Sequence, residues 1–130
     1  MGDPIVSAAG KTETWIDDAA ISKLRSIGDD SFVVEMIDAM VSFVPRMTSE
    51  ARAGLIAGNV EPVVRMGHSL KSSAQSFGAE RMRELAIQIE REARGGRVDA
   101  LSELLDEMDR VFGGVRGALM KVRGECRKPA

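Results

Sequence analysis

The sequence predicts an all-α protein: an up-down antiparallel four-helix bundle with an additional short helix at its N-terminus. Two observations lead to this prediction. Over most of the 130 residues, apolar side chains recur at the three- and four-residue spacing of helices, and they do not alternate as they would in strands. Glycines separate the successive apolar stripes, and short connections between such helices place neighbours antiparallel.

The first two helices are predicted around an early glycine. Apolar spacing from Trp15 to Leu24 indicates a short first helix, which Gly28 stops. The second helix carries apolar residues from position 32 to position 44, and the residues able to cap its start are Asp29, Asp30 and Ser31. Pro45 must kink or break this helix, because proline lacks an amide hydrogen and clashes with the preceding turn. Helical spacing resumes after it and ends near residues 58–59.

Three further helices complete the bundle. One stripe runs from Val60 to Phe77, and another from Met82 to Ala93 is closed by glycines at 95 and 96. The last helix has the most regular seam, with apolar residues spaced by seven at Leu101, Met108, Val115 and Val122. Its glycines at 113, 114 and 117 weaken it by roughly 1 kcal/mol each relative to alanine, so a bend is expected there.

The predicted organisation is one domain with short tails. Residues 1–14 mix small and polar residues without apolar spacing and are interpreted as a flexible arm. Residues 15–124 form the bundle, and residues 125–130 are expected to fray. The chain carries no secretory signal and no apolar run long enough to span a membrane, and its single cysteine is unpaired, so we expect a cytoplasmic protein.

Composition excludes several classes of function. Eighteen basic and 20 acidic residues give a net charge of −2, without the basic excess typical of nucleic-acid binding. With one histidine and one cysteine, the chain cannot form a two-histidine metal site or a disulfide. No phosphate-binding glycine loop and no HExxH motif is present. The chemistry therefore depends on what His68 does.

The helical phase of His68 places it away from the core. At about 100° per residue, it lies roughly 125° from the centre of the apolar stripe. On the same face follow Lys71, Ser72 and Gln75 at three, four and seven residues, with Val64 and Arg65 one turn before. This patch contains no carboxylate, and its cations suit an incoming anion such as a phosphoryl group. An idle surface histidine is the alternative on composition alone.

The stretch GHSLKSSAQSFGAERMRELAIQIEREARGG, residues 67–96, resembles the signature of histidine-containing phosphotransfer domains. The matching elements are Gly67, His68, Leu70, Lys71, Ser72, Ser73, Ala74, Gly78, Ala79, Leu85, Ile89, Glu90 and Gly95. Upstream, Phe43 with Pro45 and the turn at 58–59 also fit, so the resemblance spans about residues 16–122. Ser72 departs from it, because many members have glycine there.

The resemblance implies a phosphorelay carrier without an ATP site of its own. In such a carrier, His68 accepts a phosphoryl group through Nε2 from a receiver-domain aspartate and passes it to another receiver. Lys71 is implied to neutralise phosphoryl charge, and Gln75 to hydrogen-bond the imidazole. No cofactor is expected on this chain; the receiver brings Mg²⁺.

The expected partners are receiver domains of response regulators or hybrid histidine kinases. The protein itself is expected to be a monomer that binds neither nucleic acid nor a membrane. The predicted docking residues are Val64, Arg65, Gly67, Ser72 and Gln75, and Met66 is considered with Val64 as exposed apolar surface. Gly67 is also expected to let another helix pack closely behind His68. Two alternatives stay open: the phosphotransfer domain of a larger hybrid or chemotaxis-type kinase, and a chemically inactive scaffold bundle.

Overall fold

A computed structural model describes residues 14–126. These residues form five α-helices and no strand, which confirms the predicted fold class. The helices are α1 (Asp18–Ile27), α2 (Asp30–Ile56), α3 (Glu61–Ser76), α4 (Glu80–Arg94) and α5 (Leu101–Cys126). No helix in the described part of the chain is long and apolar enough to cross a membrane.

Helices α2 to α5 form the four-helix bundle, in which α2 packs against α3 and α5, and α4 packs against α3 and α5. The short α1 lies against α2. The buried residues between them are apolar apart from Thr48, and the largest fully buried side chains include Ile37, Met66, Leu70, Met82 and Leu105. Burial of these apolar surfaces is the main source of the bundle's stability.

The start of the first helix differs from the prediction, because α1 begins at Asp18 and not at Trp15. Asp17 caps the helix by accepting a hydrogen bond of 2.9 Å from the amide of Ala19. The amide of Asp17 donates to the carbonyl of Phe77 at 3.0 Å, which ties this segment to the end of α3. Trp15 therefore lies outside the helix, and its ring occupies the space that a side chain on Gly114 would need.

Helix α2 runs through Pro45 without a break, so of the two predicted outcomes, a kink or a break, the break is wrong. Its start is as expected: Asp29 accepts a hydrogen bond of 3.1 Å from the amide of Phe32. An interior proline costs a helix about 3 kcal/mol. Here the helix continues because Val44 and Met47, on either side of the exposed Pro45, are both buried in the core. The hydroxyl of Thr48 also donates a hydrogen bond of 3.0 Å to the carbonyl oxygen of Pro45.

The bundle's other boundaries agree closely with the sequence analysis. Gly58, Gly78 and Gly96 follow the ends of α2, α3 and α4 with positive φ angles of 76°, 63° and 72°, a conformation that favours glycine. Helix α5 extends through Cys126, two residues into the expected tail. Residues 127–130 of that tail, and residues 1–13 of the expected arm, lie outside the described residues.

Candidate functional site

His68 lies in the middle of α3, with 63% of its side chain exposed. The core of the same helix is formed by the opposite face, on which Val63, Leu70 and Ala74 are completely buried. The helical phase worked out from the sequence therefore places the imidazole correctly at the surface. A ring so exposed is accessible to a large partner.

A carboxylate from α4, which packs against α3, lies beside this imidazole, so the expectation of a patch without a carboxylate is wrong. The Nδ1 atom of His68 is 3.5 Å from Oε2 of Glu90. The Glu90 side chain is only 12% exposed, so its charge faces the imidazole across little water. The site thus consists of an exposed imidazole with a largely buried carboxylate on one side.

Gly67 explains why Glu90 can come so close. It is buried, and a Cβ atom at this position would lie 2.9 Å from the carbonyl oxygen of Ala86 and 2.9 Å from both the amide nitrogen and the Cβ of Glu90. The absence of a side chain lets α3 and α4 approach closely just before His68, as expected. Its place among the docking residues is wrong, because a residue buried against α4 cannot touch a partner.

Glu90 is also held by two cations. Lys71 Nζ lies 3.5 Å from Oε1, while Arg94 donates from Nε and Nη2 to Oε2 at 3.0 and 2.8 Å. Burial opposes ionisation of Glu90, but the Arg94 hydrogen bonds and the charges of Lys71, Arg94 and His68 outweigh it and lower the pKa of this carboxyl. Glu90 is therefore an anion at neutral pH.

Lys71 lies on the predicted face, one turn after His68, and is partly buried, with 33% of its side chain exposed. Its ammonium shares Glu90 with the imidazole. A phosphoryl group on His68 would bring a second anion to this cation, which fits the charge-neutralising role implied by the family resemblance.

The remaining predicted docking residues divide by exposure. Arg65, Ser72 and Gln75 are exposed and Val64 is half-buried, whereas Met66 is completely buried, so its expected exposure is wrong. The reason is that Met66 belongs to the apolar core that α3 forms with the other helices. Val64 is left at the edge of the core.

Two grooves flank the outer face of α3. One, of about 420 Å³, lies between α1 and α3 and is lined by Ser72 and Gln75 together with Ala20, Lys23, Leu24, Ile27 and Ser76. The other, of about 390 Å³, lies between α2 and α3 and is mainly apolar; its lining includes Met36, Phe43 and Phe77. The groove between α1 and α3 shares Ser72 and Gln75 with the face on which His68 lies.

The position of Glu90 makes the two ring nitrogens of His68 inequivalent. A carboxylate beside Nδ1 favours the tautomer with its hydrogen on that atom, which leaves the lone pair on Nε2. Within residues 14–126, Nε2 has no protein partner and Gln75 makes no hydrogen bond to the ring, so the partner implied for the imidazole is replaced by Glu90. In the same part of the chain, no three His, Cys, Asp or Glu side chains are grouped to hold a metal ion.

Glu90 and Arg94 are the residues that sequence reasoning missed as parts of the site. A signal was present: in two antiparallel helices joined at Gly78, residues about ten positions before the turn face residues about ten positions after it. Glu90 also stood in the family motif without an assigned role. Counting from Gly78 as many residues forward as His68 lies before it leads to this part of α4.

Comparisons with known proteins agree with this geometry. A family model described as Hpt domain matches residues 35–118. The phosphorelay protein LuxU of Vibrio cholerae is 25% identical over 95 residues, covering 72% of this chain and 83% of LuxU. The signal transduction histidine-protein kinase BarA of Escherichia coli K12 is 30% identical over 92 residues, covering 67% of this chain but only 10% of the kinase.

A solved structure shows the same fold. The crystal structure of histidine-containing phosphotransfer protein B (HptB) from Pseudomonas aeruginosa PAO1 is similar with a TM-score of 0.79 and 24% sequence identity. The alignment covers 85% of this chain and 96% of HptB. The likeness extends over nearly the whole of that protein.

Proposed function

We propose that this chain, which belongs to the Hpt domain family, is a phosphorelay carrier and that His68 is the residue that takes up and releases the phosphoryl group. The observation that carries this proposal is the pairing of an exposed imidazole with a largely buried carboxylate. The Oε2 atom of Glu90 lies 3.5 Å from Nδ1 of His68. That pairing leaves Nε2 as the nucleophile and gives the ring a counter-ion.

The transfer is an exchange of one bond for another. The Nε2 lone pair attacks the phosphorus of a receiver's aspartyl phosphate, and the P–O bond to the aspartate breaks, with its electrons leaving on the carboxylate. Since the hydrogen stays on Nδ1, the product ring is an imidazolium, and Glu90 faces its positive charge. In the reverse direction, an aspartate of a second receiver attacks the phosphorus and the N–P bond electrons return to Nε2.

We propose that Lys71 compensates the charge of the phosphoryl oxygens. Its ammonium lies near Glu90 and one helical turn after His68. Glu90 is engaged with this lysine and with Arg94, so we propose that the receiver supplies the Mg²⁺ that neutralises the remaining charge. The chain works as a carrier rather than as a kinase, and we assign no nucleotide site to it.

The partner that fits this surface is a receiver domain with its acidic pocket pressed against α3. Support comes from the exposed Arg65, Ser72 and Gln75, which surround the imidazole, and from the groove between α1 and α3 that continues from Ser72. A partner seated in that groove reaches His68 within one turn of helix. We also propose that the protein acts as a monomer in the cytoplasm, where thiols such as that of Cys126 stay reduced.

The test is phosphate transfer from a panel of receiver domains charged with radioactive phosphate. We expect label to appear on the wild-type chain as an acid-labile, base-stable phosphoramidate, and not on His68→Gln. Incubation with radioactive ATP alone serves as the control for kinase activity. Acid-labile label on His68→Gln would refute the assignment, as would failure of every receiver in a complete set from the source organism.

A further inference from the structure

Arg94 and His68 converge on the same oxygen of Glu90. Arg94 bonds Oε2 through both Nε and Nη2, at 3.0 and 2.8 Å, and His68 Nδ1 stands 3.5 Å from that same atom. Lys71 instead faces Oε1. The two oxygens of the carboxylate therefore have different partners. Oε2, the oxygen beside the imidazole, already accepts two hydrogen bonds from the Arg94 guanidinium.

This sharing has a predictable electrostatic effect. An oxygen that accepts two charge-assisted hydrogen bonds has less lone-pair density and less unbalanced charge to offer a third donor. The distances agree with this, because the two Arg94 contacts are of ordinary hydrogen-bond length, whereas the His68 contact is too long for a strong bond. Glu90 thus holds the imidazole more weakly than a carboxylate with a free oxygen would.

We propose that Arg94 is a positioning residue that acts on His68 through Glu90 and keeps the phosphohistidine from being held too firmly. This inference rests on the proposed function of His68. The phosphorylated ring is an imidazolium, and Glu90 stabilises this cation more strongly than it stabilises a neutral imidazole. Any change that strengthens the Glu90 contact to Nδ1 therefore favours the phosphorylated form and disfavours return of the phosphoryl group to an aspartate.

The chemistry of the two directions makes the expected effect specific. On uptake the N–P bond forms and the aspartate's P–O bond breaks; on release the reverse occurs, with the Nδ1 hydrogen kept throughout. Without Arg94, Oε2 is free to accept that hydrogen. We expect Arg94→Gln to shift the exchange equilibrium toward phosphohistidine by about two- to fivefold, the range of partly exposed ion pairs, since 61% of the Arg94 side chain is exposed.

The first experiment requires no partner. The tautomer of His68, the only histidine, is read from its imidazole ¹⁵N chemical shifts at a pH where the ring is neutral. We expect Arg94→Gln to increase the fraction with hydrogen on Nδ1. Arg91→Gln is the matched control, because it removes the same charge from the last turn of α4 without touching a bond to Glu90. The shift should disappear when Arg94→Gln is combined with Glu90→Gln.

The second experiment measures the equilibrium of phosphate exchange with a receiver that transfers to the wild-type chain. A two- to fivefold shift toward phosphohistidine in Arg94→Gln, absent in Arg91→Gln and in the Glu90→Gln background, supports the proposal. An unchanged tautomer ratio in Arg94→Gln, or an equal effect without Glu90, would overturn it. Failure of His68 as the acceptor is distinguishable, because label would then also appear on His68→Gln, whereas the tautomer measurement on the unphosphorylated protein would not change.

Discussion

Gly67 is the position where one added methyl group should disturb both the bundle and the site. A Cβ there would lie 2.9 Å from the Ala86 carbonyl oxygen and from the Glu90 amide nitrogen, and these backbone atoms cannot rotate aside. Accommodation requires α3 and α4 to separate by several tenths of an ångström. Because Glu90 is on the displaced helix, its carboxylate moves relative to His68.

The magnitude follows from two opposing effects. Alanine in a helix interior is favoured over glycine by about 1 kcal/mol, whereas overpacking a well-filled contact costs about 1–3 kcal/mol. Gly117 is the matched control, since it lies in the interior of α5 and a Cβ there meets nothing within 4 Å. We expect Gly117→Ala to raise the free energy of unfolding by about 0.5–1 kcal/mol. The free energy of unfolding of Gly67→Ala should be about 1–3 kcal/mol lower than that of Gly117→Ala.

Thermal and urea unfolding followed by circular dichroism measure this difference. For a domain of this size, the gap in Tm between the two variants should be on the order of 5–10 °C. Gly67→Ala should also transfer phosphate more slowly, since a 1 Å misplacement can cost on the order of 100-fold in rate. If Gly67→Ala stabilises the protein as much as Gly117→Ala and transfers normally, then the close approach of α3 and α4 does not position Glu90.

Three further predictions concern the surface of the site. Ser72→Trp should keep the Tm of the parent but lose most phosphotransfer, because its ring would hold the receiver away, whereas Ser72→Gly should remain active; parental rates in Ser72→Trp would move the docking face elsewhere. Lys71→Ala should cost less than about 1 kcal/mol in urea unfolding and slow transfer from a receiver, with a weaker dependence on salt; an unchanged rate at low ionic strength would contradict its role. The pKa of Glu90 is lowered in the folded state from its ordinary value of 4.5, so its contribution to stability is present above that pH and lost as pH falls through the folded pKa. The Tm difference between wild type and Glu90→Gln should therefore shrink as the pH falls below about 4.5, and a difference that grows below that pH would refute this sign.

Much of the fold could be predicted from the sequence because its determinants are local. The apolar spacing within each stripe sets which face of a helix is buried, and that spacing alone placed His68 on the exposed face of α3. Glycines with positive φ, such as Gly78 and Gly96, end helices by a preference of their own backbone. The family motif could be identified for the same reason, since most of its residues lie on one continuous stretch of chain.

Tertiary packing decided what the local pattern could not. Pro45 has a helix-breaking preference, yet α2 continues because burial of its neighbours on both sides outweighs the local cost. Trp15 has helical spacing with its neighbours, but its ring packs on Gly114 of a distant helix, and the chain there is not helical. In each case a contact between distant parts of the chain overrides a preference of modest energy.

The candidate site shows the same division. His68 and Lys71 share one helix face, so a spacing rule joins them within the sequence. Glu90 and Arg94 join them only because Gly67 lets α4 lie against α3, and no periodicity within either helix encodes that distance. The sequence by itself determined that His68 is exposed and which residues share its helix face, which are properties of one helix. Only the tertiary structure decided its counter-ion, because the electrostatic partner of an exposed ring depends on which charge the neighbouring helix brings within a few ångströms.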